Sequence, residues 1–138
     1  MLVTRKEEFC ASHACWRPEL SEQQNLELYG EPANPHGHGH NYVVEVTLEG
    51  RPDPLTGMVL DLRLLKQIIR RDVVEPFDHR FLNREVPPFD RLVPTPENIA
   101  VEIWRRLAPH FPDSGPRLHA VRLYETEDLY VEYSGERA

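Results

Sequence analysis

The segment Asn34–Tyr42, with the sequence NPHGHGHNY, constrains the fold more than any other part of this chain. Three of the seven histidines stand here at alternating positions, and the segment runs straight into VVEVTLE. The alternation of apolar and polar residues predicts a β-strand over about 38–49, and side chains two residues apart on a strand point to the same face. His38 and His40 therefore lie on one face, close enough to hold one metal ion between them.

A strand over residues 2–14 offers a third ligand, His13, which ends this strand on the same parity as Phe9. If the two strands pair antiparallel, the end of the first meets the start of the second, and His13 falls beside His38 and His40. Three neutral imidazoles form a zinc site whose fourth position stays free for water or substrate. His36 is a rival ligand with the same spacing to His38, but the proline and glycine that flank it indicate a loop.

The remaining pattern predicts two helices and a closing hairpin. One helix begins with Asp61 as its N-cap and ends at Pro76, and the other begins at Thr95 as its N-cap. Residues 118–125 and 128–134 predict the hairpin, and Leu20–Tyr29 indicates a short extra helix. The order β-β-α-α-β-β predicts an α+β fold in one domain, residues 1–138, with a four-stranded antiparallel sheet and two helices on one face. Such a sheet leaves two open edges, which side-by-side self-association would cover.

The composition argues against two classes of binding partner, nucleic acids and membranes. The formal net charge of -7 argues against a general nucleic-acid binder, which carries a basic face. Cys10 and Cys15 do not form a disulfide framework and suit a reducing cytoplasm. The sequence has no signal-peptide pattern and no apolar stretch near the roughly 20 residues that span a membrane. We therefore expect a cytoplasmic protein without a nucleic-acid or membrane partner.

Six motifs follow one another in an order that is specific for one family. They are Phe9–His13 (FCASH), Asn34–Tyr42 (NPHGHGHNY), Gly57–Asp61 (GMVLD), Pro76–His79 (PFDH), Pro94–Asn98 (PTPEN) and Tyr124–Thr126 (YET). In this combination the chain resembles the 6-pyruvoyltetrahydropterin synthase and 6-carboxytetrahydropterin synthase family over nearly its whole length. The resemblance implies the tunnelling fold, in which subunits join their sheets into a barrel and trimers stack into a hexamer with active sites between subunits.

The resemblance also implies a chemistry. It implies Zn²⁺ on His13, His38 and His40, and a lyase that converts 7,8-dihydroneopterin triphosphate to a 6-substituted pterin. The product is of the 6-pyruvoyl- or 6-carboxytetrahydropterin type. The biopterin, queuosine and folate pathways all stay open at this stage. The triphosphate needs basic partners, for which Lys6, Arg17, Arg80 and Arg84 are candidates.

Several further residues match positions with known roles in that family. Glu125 matches the pterin anchor, because one carboxylate can accept hydrogen bonds from a ring N–H and the 2-amino group; alone, it would be interpreted as a solvated acid. Asp78 and His79 match a proton-relay pair, which would otherwise be a loop pair after a helix. Thr95 matches a position near the pterin, although its N-cap role already explains it.

The chain departs from the family at one catalytic position. The family cysteine lies six residues before the first histidine of HGH, and here that position is Pro32. Glu31 precedes it, and a branch of the family replaces the cysteine with glutamate and forms 6-hydroxymethyl-7,8-dihydropterin. We hypothesise that Glu31 takes the place of the cysteine as general base, since burial can raise the pKa of a carboxyl group. The alternatives are a solvated loop acid and a pterin-binding protein that has lost catalysis.

Overall fold

A long antiparallel ladder forms the centre of the sheet in the computed structural model, which describes residues 1–136. Strand β1 (Leu2–His13) pairs along its whole length with strand β2 (His38–Glu49). The register runs from Leu2 opposite Glu49 to His13 opposite His38. The predicted pairing of these two strands is therefore confirmed, including the meeting of the first strand's end with the second strand's start.

Three more strands complete the sheet. Strand β4 (Arg117–Thr126) pairs antiparallel with β2, and β5 (Leu129–Tyr133) pairs antiparallel with β4. The four-stranded antiparallel sheet is thus as predicted, with strand ends within one residue at the hairpin. A two-residue strand, β3 (Arg80–Phe81), lies parallel to the end of β1 and makes the order β3-β1-β2-β4-β5. The sequence did not indicate β3, because two residues are too short to show a period.

The connections carry the helices, which were predicted in part. They are α1 (Glu22–Tyr29), α2 (Leu62–Ile69), α3 (Glu75–Phe77), α4 (Leu82–Glu85) and α5 (Pro96–Leu107), with single 3₁₀ turns at Glu31–Ala33 and Ala108–His110. A π-helical segment, Arg70–Val74, joins α2 to α3. The helix predicted from Asp61 to Pro76 therefore ends one residue later, at Phe77, and it contains a wider turn that the apolar spacing did not reveal.

The two main helices begin where their caps predict. The Asp61 carboxylate accepts a hydrogen bond from the backbone N–H of Arg63 at 2.9 Å, and the Thr95 hydroxyl accepts one from the backbone N–H of Asn98 at 3.2 Å. Each bond satisfies a donor that the first helical turn leaves free. Helix α2 packs against β1 and helix α5 against β4 and β5.

The core lies between these helices and one face of the sheet. Every second residue of β2, beginning with Tyr42 and ending with Leu48, is wholly buried there. The outer edge of β1 has a neighbour only at Ala11 and Ser12, where β3 pairs, and β5 forms the other edge. Both edges are thus open in a single chain. Among residues 1–136, no helix is long and apolar enough to cross a membrane.

Candidate metal centre and active site

Three histidines form a cluster at one end of the β1–β2 ladder. His13 lies directly opposite His38, and His40 follows two residues later on the same face. The ring centroids of His13 and His38 are 4.6 Å apart, those of His38 and His40 are 4.8 Å apart, and those of His13 and His40 are 5.1 Å apart. Strand register alone brings the three rings together, as the sequence predicted.

His13 presents a fixed nitrogen to this cluster. Its Nδ1 lies 2.6 Å from the carbonyl oxygen of Pro94, which can only accept a hydrogen bond, so Nδ1 carries the proton. The lone pair is then on Nε2, which is buried and has no hydrogen-bond partner in the part of the chain that the structure describes. Burial lowers the pKa of His13 to about 4, against the raising effect of the Pro94 carbonyl, and His38 and His40 lower it further. The ring is therefore neutral at pH 7, as a metal ligand must be.

His40 faces a carboxylate. Its Nε2 lies 3.1 Å from Oε1 of Glu125, yet this buried nitrogen makes no hydrogen bond of acceptable geometry to any of the described residues, 1–136. Burial lowers the pKa of His40, with a further contribution from His38. Burial also raises the pKa of Glu125, and the nearby Glu97 carboxylate adds to that rise. A close contact without a hydrogen bond is the arrangement expected of two groups that share a cation.

The donor set suits a transition metal. One ligand atom from each of His13, His38, His40 and Glu125 lies within 4.8 Å of the other three. Three imidazole nitrogens and one carboxylate oxygen are typical of zinc and related divalent ions. The residues therefore fit a metal ion. The structure also gives Glu125 a second possible role, since it lies among the ligands as well as matching a ring anchor.

Tyr42 also belongs to this region, because it follows His40 by two residues on the same face of β2. The sequence alone indicated no role for it. Its side chain is wholly buried, and its hydroxyl has no hydrogen-bond partner among residues 1–136. The ring stacks on Phe9 at 5.1 Å and meets the edges of His40 at 5.4 Å and His13 at 6.0 Å. Tyr42 thus packs against both His13 and His40. Burial raises the pKa of its hydroxyl.

Cys15 is buried close to the same region. Burial raises the pKa of its thiol to about 11, and the Glu125 and Glu97 carboxylates contribute to the rise. The backbone N–H of Cys15 donates to the carbonyl of Pro32 at 2.8 Å, which ties the turn at the missing family cysteine to the end of β1. The thiol is therefore protonated at pH 7, and Cys15 packs as a small apolar residue.

A large open pocket lies beside the histidine cluster. Its volume is about 670 Å³, within the range of small-molecule sites. Its lining residues are Glu22, Leu26, Glu31, Pro32, Asn34, Pro35, Gly37 and His38. Glu31 begins the 3₁₀ turn after α1 and is exposed. The structure thus brings Glu31 and the ligand His38 to the walls of one pocket.

Thr95 lies next to the residue that fixes His13. Its hydroxyl caps α5, and the preceding carbonyl, that of Pro94, accepts the proton of His13 Nδ1. The N-cap at Thr95 therefore helps to fix the Pro94 carbonyl, which in turn orients His13. A direct contact of Thr95 with a substrate remains a prediction.

The Asp78–His79 pair lies apart from the cluster. Oδ2 of Asp78 is 2.9 Å from Nδ1 of His79, and Oδ1 accepts the backbone N–H of Cys10 at 2.9 Å. His79 has a φ of 60° and donates its own N–H to the Cys10 carbonyl at 2.6 Å. The side chain of His79 is 80% exposed. Cys10 precedes His13 by three residues, about 10 Å along a strand, so neither member of the pair joins the ligand group.

The candidate cations for a phosphate chain have partners of their own. Arg17 pairs with Glu19, Lys6 lies 3.9 Å from Glu45, and Arg80 lies 4.0 Å from Glu85. Arg84 lines a second, smaller pocket of about 250 Å³ that also includes Trp16 and Phe81. The histidine pocket itself is lined by two acids and no Lys or Arg among the described residues.

Comparison with known proteins gives one consistent result. A profile of the 6-pyruvoyl tetrahydropterin synthase family matches residues 2–136. The 6-pyruvoyl tetrahydrobiopterin synthase of Poecilia reticulata is 45% identical over 134 residues, which cover 97% of this chain and 90% of that protein. The 6-carboxy-5,6,7,8-tetrahydropterin synthase of Rickettsia typhi is 30% identical over 111 residues, covering 69% of this chain and 80% of that protein.

Solved structures agree at the level of the fold. The 6-pyruvoyl tetrahydropterin synthase of Caenorhabditis elegans superimposes with a TM-score of 0.91 at 36% identity, covering 99% of this chain and 96% of that one. A Plasmodium vivax 6-pyruvoyltetrahydropterin synthase in which a glutamate, described as a catalytic residue, is replaced by alanine gives a TM-score of 0.63 at 16% identity. That alignment covers 96% of this chain and 97% of the other, and it shows a shared fold only.

Proposed function

Because the chain belongs to the 6-pyruvoyl tetrahydropterin synthase family, we propose that it is a zinc-dependent lyase acting on 7,8-dihydroneopterin triphosphate. It is an enzyme of pterin biosynthesis, of the 6-pyruvoyl- or 6-carboxytetrahydropterin synthase type. The observation that carries the proposal is the group of three imidazoles and one carboxylate within 4.8 Å, beside a pocket of ligand size.

His13, His38 and His40 hold the zinc ion in this proposal. When bound, the ion supplies Lewis acidity toward hydroxyl and carbonyl oxygens of the substrate side chain. His13 keeps a single tautomer through its bond to Pro94, which leaves Nε2 to face the ion. Burial keeps the rings of His13 and His40 neutral, so protons compete weakly for these ligand nitrogens at pH 7.

Glu125 binds the pterin ring. Its carboxylate stands between the histidines and Glu97, in a half-buried position where a planar donor pair can meet both oxygens. The close approach to His40 makes metal ligation the competing role. A Glu125→Gln variant separates them, because loss of a ring anchor raises KM while metal content is kept, whereas loss of a ligand lowers metal content. Thr95, at the cap beside Pro94, contributes a second polar contact to the ring.

Asp78 and His79 transfer protons. The carboxylate lies 2.9 Å from Nδ1 of His79, so it can hold the ring with Nε2 free toward the substrate. The pair lies about three residues along β1 from His13, too far to act on a substrate held at the histidines of the same chain. A neighbouring copy supplies the pair to this site when copies pair along their open edges, in a trimer or a hexamer.

In the alternative form of the proposal, Glu31 acts as the general base in place of the family cysteine. It lines the same pocket as His38, whereas Pro32, at the family position, has no proton-accepting side chain. The solved Plasmodium vivax protein has a glutamate described as catalytic, which supports a carboxylate in this role on the same fold. In this alternative the side chain is cleaved between C1′ and C2′, which leaves 6-hydroxymethyl-7,8-dihydropterin and releases a two-carbon aldehyde that carries the triphosphate.

The identity to relatives favours a different product. The 45% identity to a 6-pyruvoyl tetrahydrobiopterin synthase exceeds the 30% identity to a 6-carboxytetrahydropterin synthase, so the pyruvoyl product ranks first. The hydroxymethyl product ranks next because of Glu31, and Pro32 also motivates a non-catalytic pterin-binding protein.

One assay distinguishes these outcomes. The purified protein is loaded with zinc and incubated with 7,8-dihydroneopterin triphosphate, and the products are identified by mass spectrometry. A pyruvoyl, carboxy or hydroxymethyl pterin assigns the reaction, and release of inorganic triphosphate accompanies the first. Binding of the substrate without any product would replace the lyase proposal with the non-catalytic alternative.

A further inference from the structure

A buried carboxylate in helix α5 pairs with two arginines that differ in what else they contact. Glu102 has a side chain only 3% exposed, and it accepts from Arg105 at 2.8 Å and from Arg106 at 2.7 Å. Arg105 is 70% exposed and, within residues 1–136, makes its side-chain hydrogen bonds to Glu102 alone, whereas Arg106 is 23% exposed. A buried guanidinium is stable only with its charge matched and its donors used, and Glu102 supplies the charge.

The other donors of Arg106 reach two distant segments. Its Nη1 donates to the carbonyl of Asp72 in the π-helical segment at 3.4 Å, and its Nη2 donates to the carbonyl of Pro87 at 3.1 Å. The guanidinium carbon lies 4.8 Å from the ring centroid of Phe77, as in a cation–π contact. The Asp72 side chain also contacts His110, just beyond the same end of α5. The C-terminal end of α5 thus contacts segment 72–77 at two points, the main-chain carbonyl of Asp72 and the ring of Phe77.

That segment ends at the proton-relay pair. Phe77 is wholly buried and directly precedes Asp78, whose N–H donates to the carbonyl of Val74 at 2.7 Å. His79 then adopts a left-handed backbone conformation, which non-glycine residues adopt rarely and keep only when their surroundings impose it. His79 is exposed, so the position of the pair depends on the segment that precedes it, on its bonds to Cys10 and on the pairing of Arg80 and Phe81 with β1.

We infer that Arg106 is a positioning residue for Asp78 and His79, acting through Phe77 and the π-helical segment. It fixes the path of the chain that leads into the pair, and the bonds to Cys10 hold the pair itself. The inference rests on the proposed function, because only there do Asp78 and His79 have a catalytic role. Arg106 touches no reacting atom, and its effect is on the geometry of the pair.

The test compares Arg106→Ala and Arg106→Lys with Arg105→Ala in the zinc-loaded full-length protein. Arg105→Ala also removes one partner of Glu102, so it is the matched control for charge. Two readouts are needed: kcat and KM on 7,8-dihydroneopterin triphosphate, and backbone hydrogen exchange measured by mass spectrometry. Exchange of a peptide spanning 77–81 reports on the His79 amide, and a peptide from β2 serves as reference.

In Arg106→Ala we expect kcat to fall about tenfold with KM within about twofold, as for a group that is misplaced rather than lost. Exchange should rise in the 77–81 peptide and not in β2. Arg106→Lys keeps the charge toward Glu102 but cannot bridge both carbonyls, so it should recover neither kcat nor the wild-type exchange of the 77–81 peptide. Arg105→Ala should resemble the wild type in both readouts.

Three results would overturn the inference. Wild-type exchange of the 77–81 peptide in Arg106→Ala is one, and full recovery of kcat by lysine is another. The third is an equal loss of kcat in Arg105→Ala, which would assign the effect to the charge of Glu102. If the wild type shows no turnover at all, the proposed function fails instead, and the exchange readout still decides whether Arg106 holds the pair.

Discussion

The histidine cluster and the Asp78–His79 turn lie at neighbouring places on β1, yet they are built in opposite ways. His13 is buried and bonded to Pro94, and a continuous strand register brings the three histidines together. His79 is exposed and left-handed, and within residues 1–136 the turn is bonded to β1 at Cys10, just before the short pairing of β3 with β1. One chain therefore assembles the whole candidate metal centre, whereas the pair proposed to transfer protons lies apart from it. We expect a second copy to bring the two halves of the site together.

The largest expected effect comes from removing a ligand. His38→Ala should lose its metal ion and lower kcat/KM by more than about a thousandfold, because the ion supplies the Lewis acid. Elemental analysis of protein purified without chelators measures the first effect and turnover the second. His36→Ala is the matched control, since His36 is exposed in the adjacent loop and lies outside the ligand group. Retention of a full complement of metal in His38→Ala would contradict the assignment.

The next prediction tests whether the two halves come from different copies. His79→Gln should lower kcat about a hundredfold or more while keeping its metal. When His38→Ala and His79→Gln chains are co-expressed in equal amounts, about one quarter of the sites in a mixed ring should combine two intact halves. Activity should therefore return to about a quarter of the wild-type value.

A second mixture controls this complementation. His38→Ala combined with His40→Ala should stay inactive, because both changes fall in the same half and no site escapes both. Mixed rings of His38→Ala and His79→Gln that form and stay inactive would show that the pair acts within its own chain. The exposure of the Asp78–His79 turn would then not reflect a role in the site of a second copy.

A smaller effect is expected at the pocket wall. Glu31→Gln should lower kcat about a hundredfold if the carboxylate is the base, with metal content unchanged. Glu22→Gln changes another acid of the same pocket and should alter kcat little. Full activity of Glu31→Gln on dihydroneopterin triphosphate would remove Glu31 from the mechanism.

The smallest effect concerns stability at the exposed turn. The N–H of Cys10 lowers the pKa of Asp78 against the opposing effect of burial, and His79 lowers it further. Because the folded-state pKa lies below the unfolded one, the carboxylate stabilises the fold above the unfolded pKa, and this contribution disappears as pH falls through the folded pKa.

Asp78→Asn should therefore melt slightly lower than the wild type at pH 7, with a difference that shrinks in acid below the usual aspartate range. The melting temperatures of wild type and variant are compared at pH 7 and at an acidic pH below that range. Asp113→Asn, in an exposed loop, is the control. A difference that grew on acidification would mean that the carboxylate is not the stabilising form.

Local patterns predicted most of the elements. Asp61 and Thr95 each cap the helix expected of them, because a capping side chain acts on donors within three residues. The π-helical segment and β3 were not predicted. The π-helical segment contacts α5 through Arg106, and β3 forms where the chain runs along the outer edge of β1. Neither leaves a period in the sequence.

The sequence by itself determined the strand pairing and the meeting of the three histidines, because a period of two fixes which side chains share a face and antiparallel pairing fixes which ends meet. Only the tertiary structure decided that Glu125 lies against His40, that the buried Tyr42 hydroxyl has no hydrogen-bond partner within residues 1–136, and that the pair at Asp78 and His79 stays outside the cluster. These depend on contacts between residues far apart along the chain, and burial, distance and pKa are properties of such contacts rather than of any local pattern.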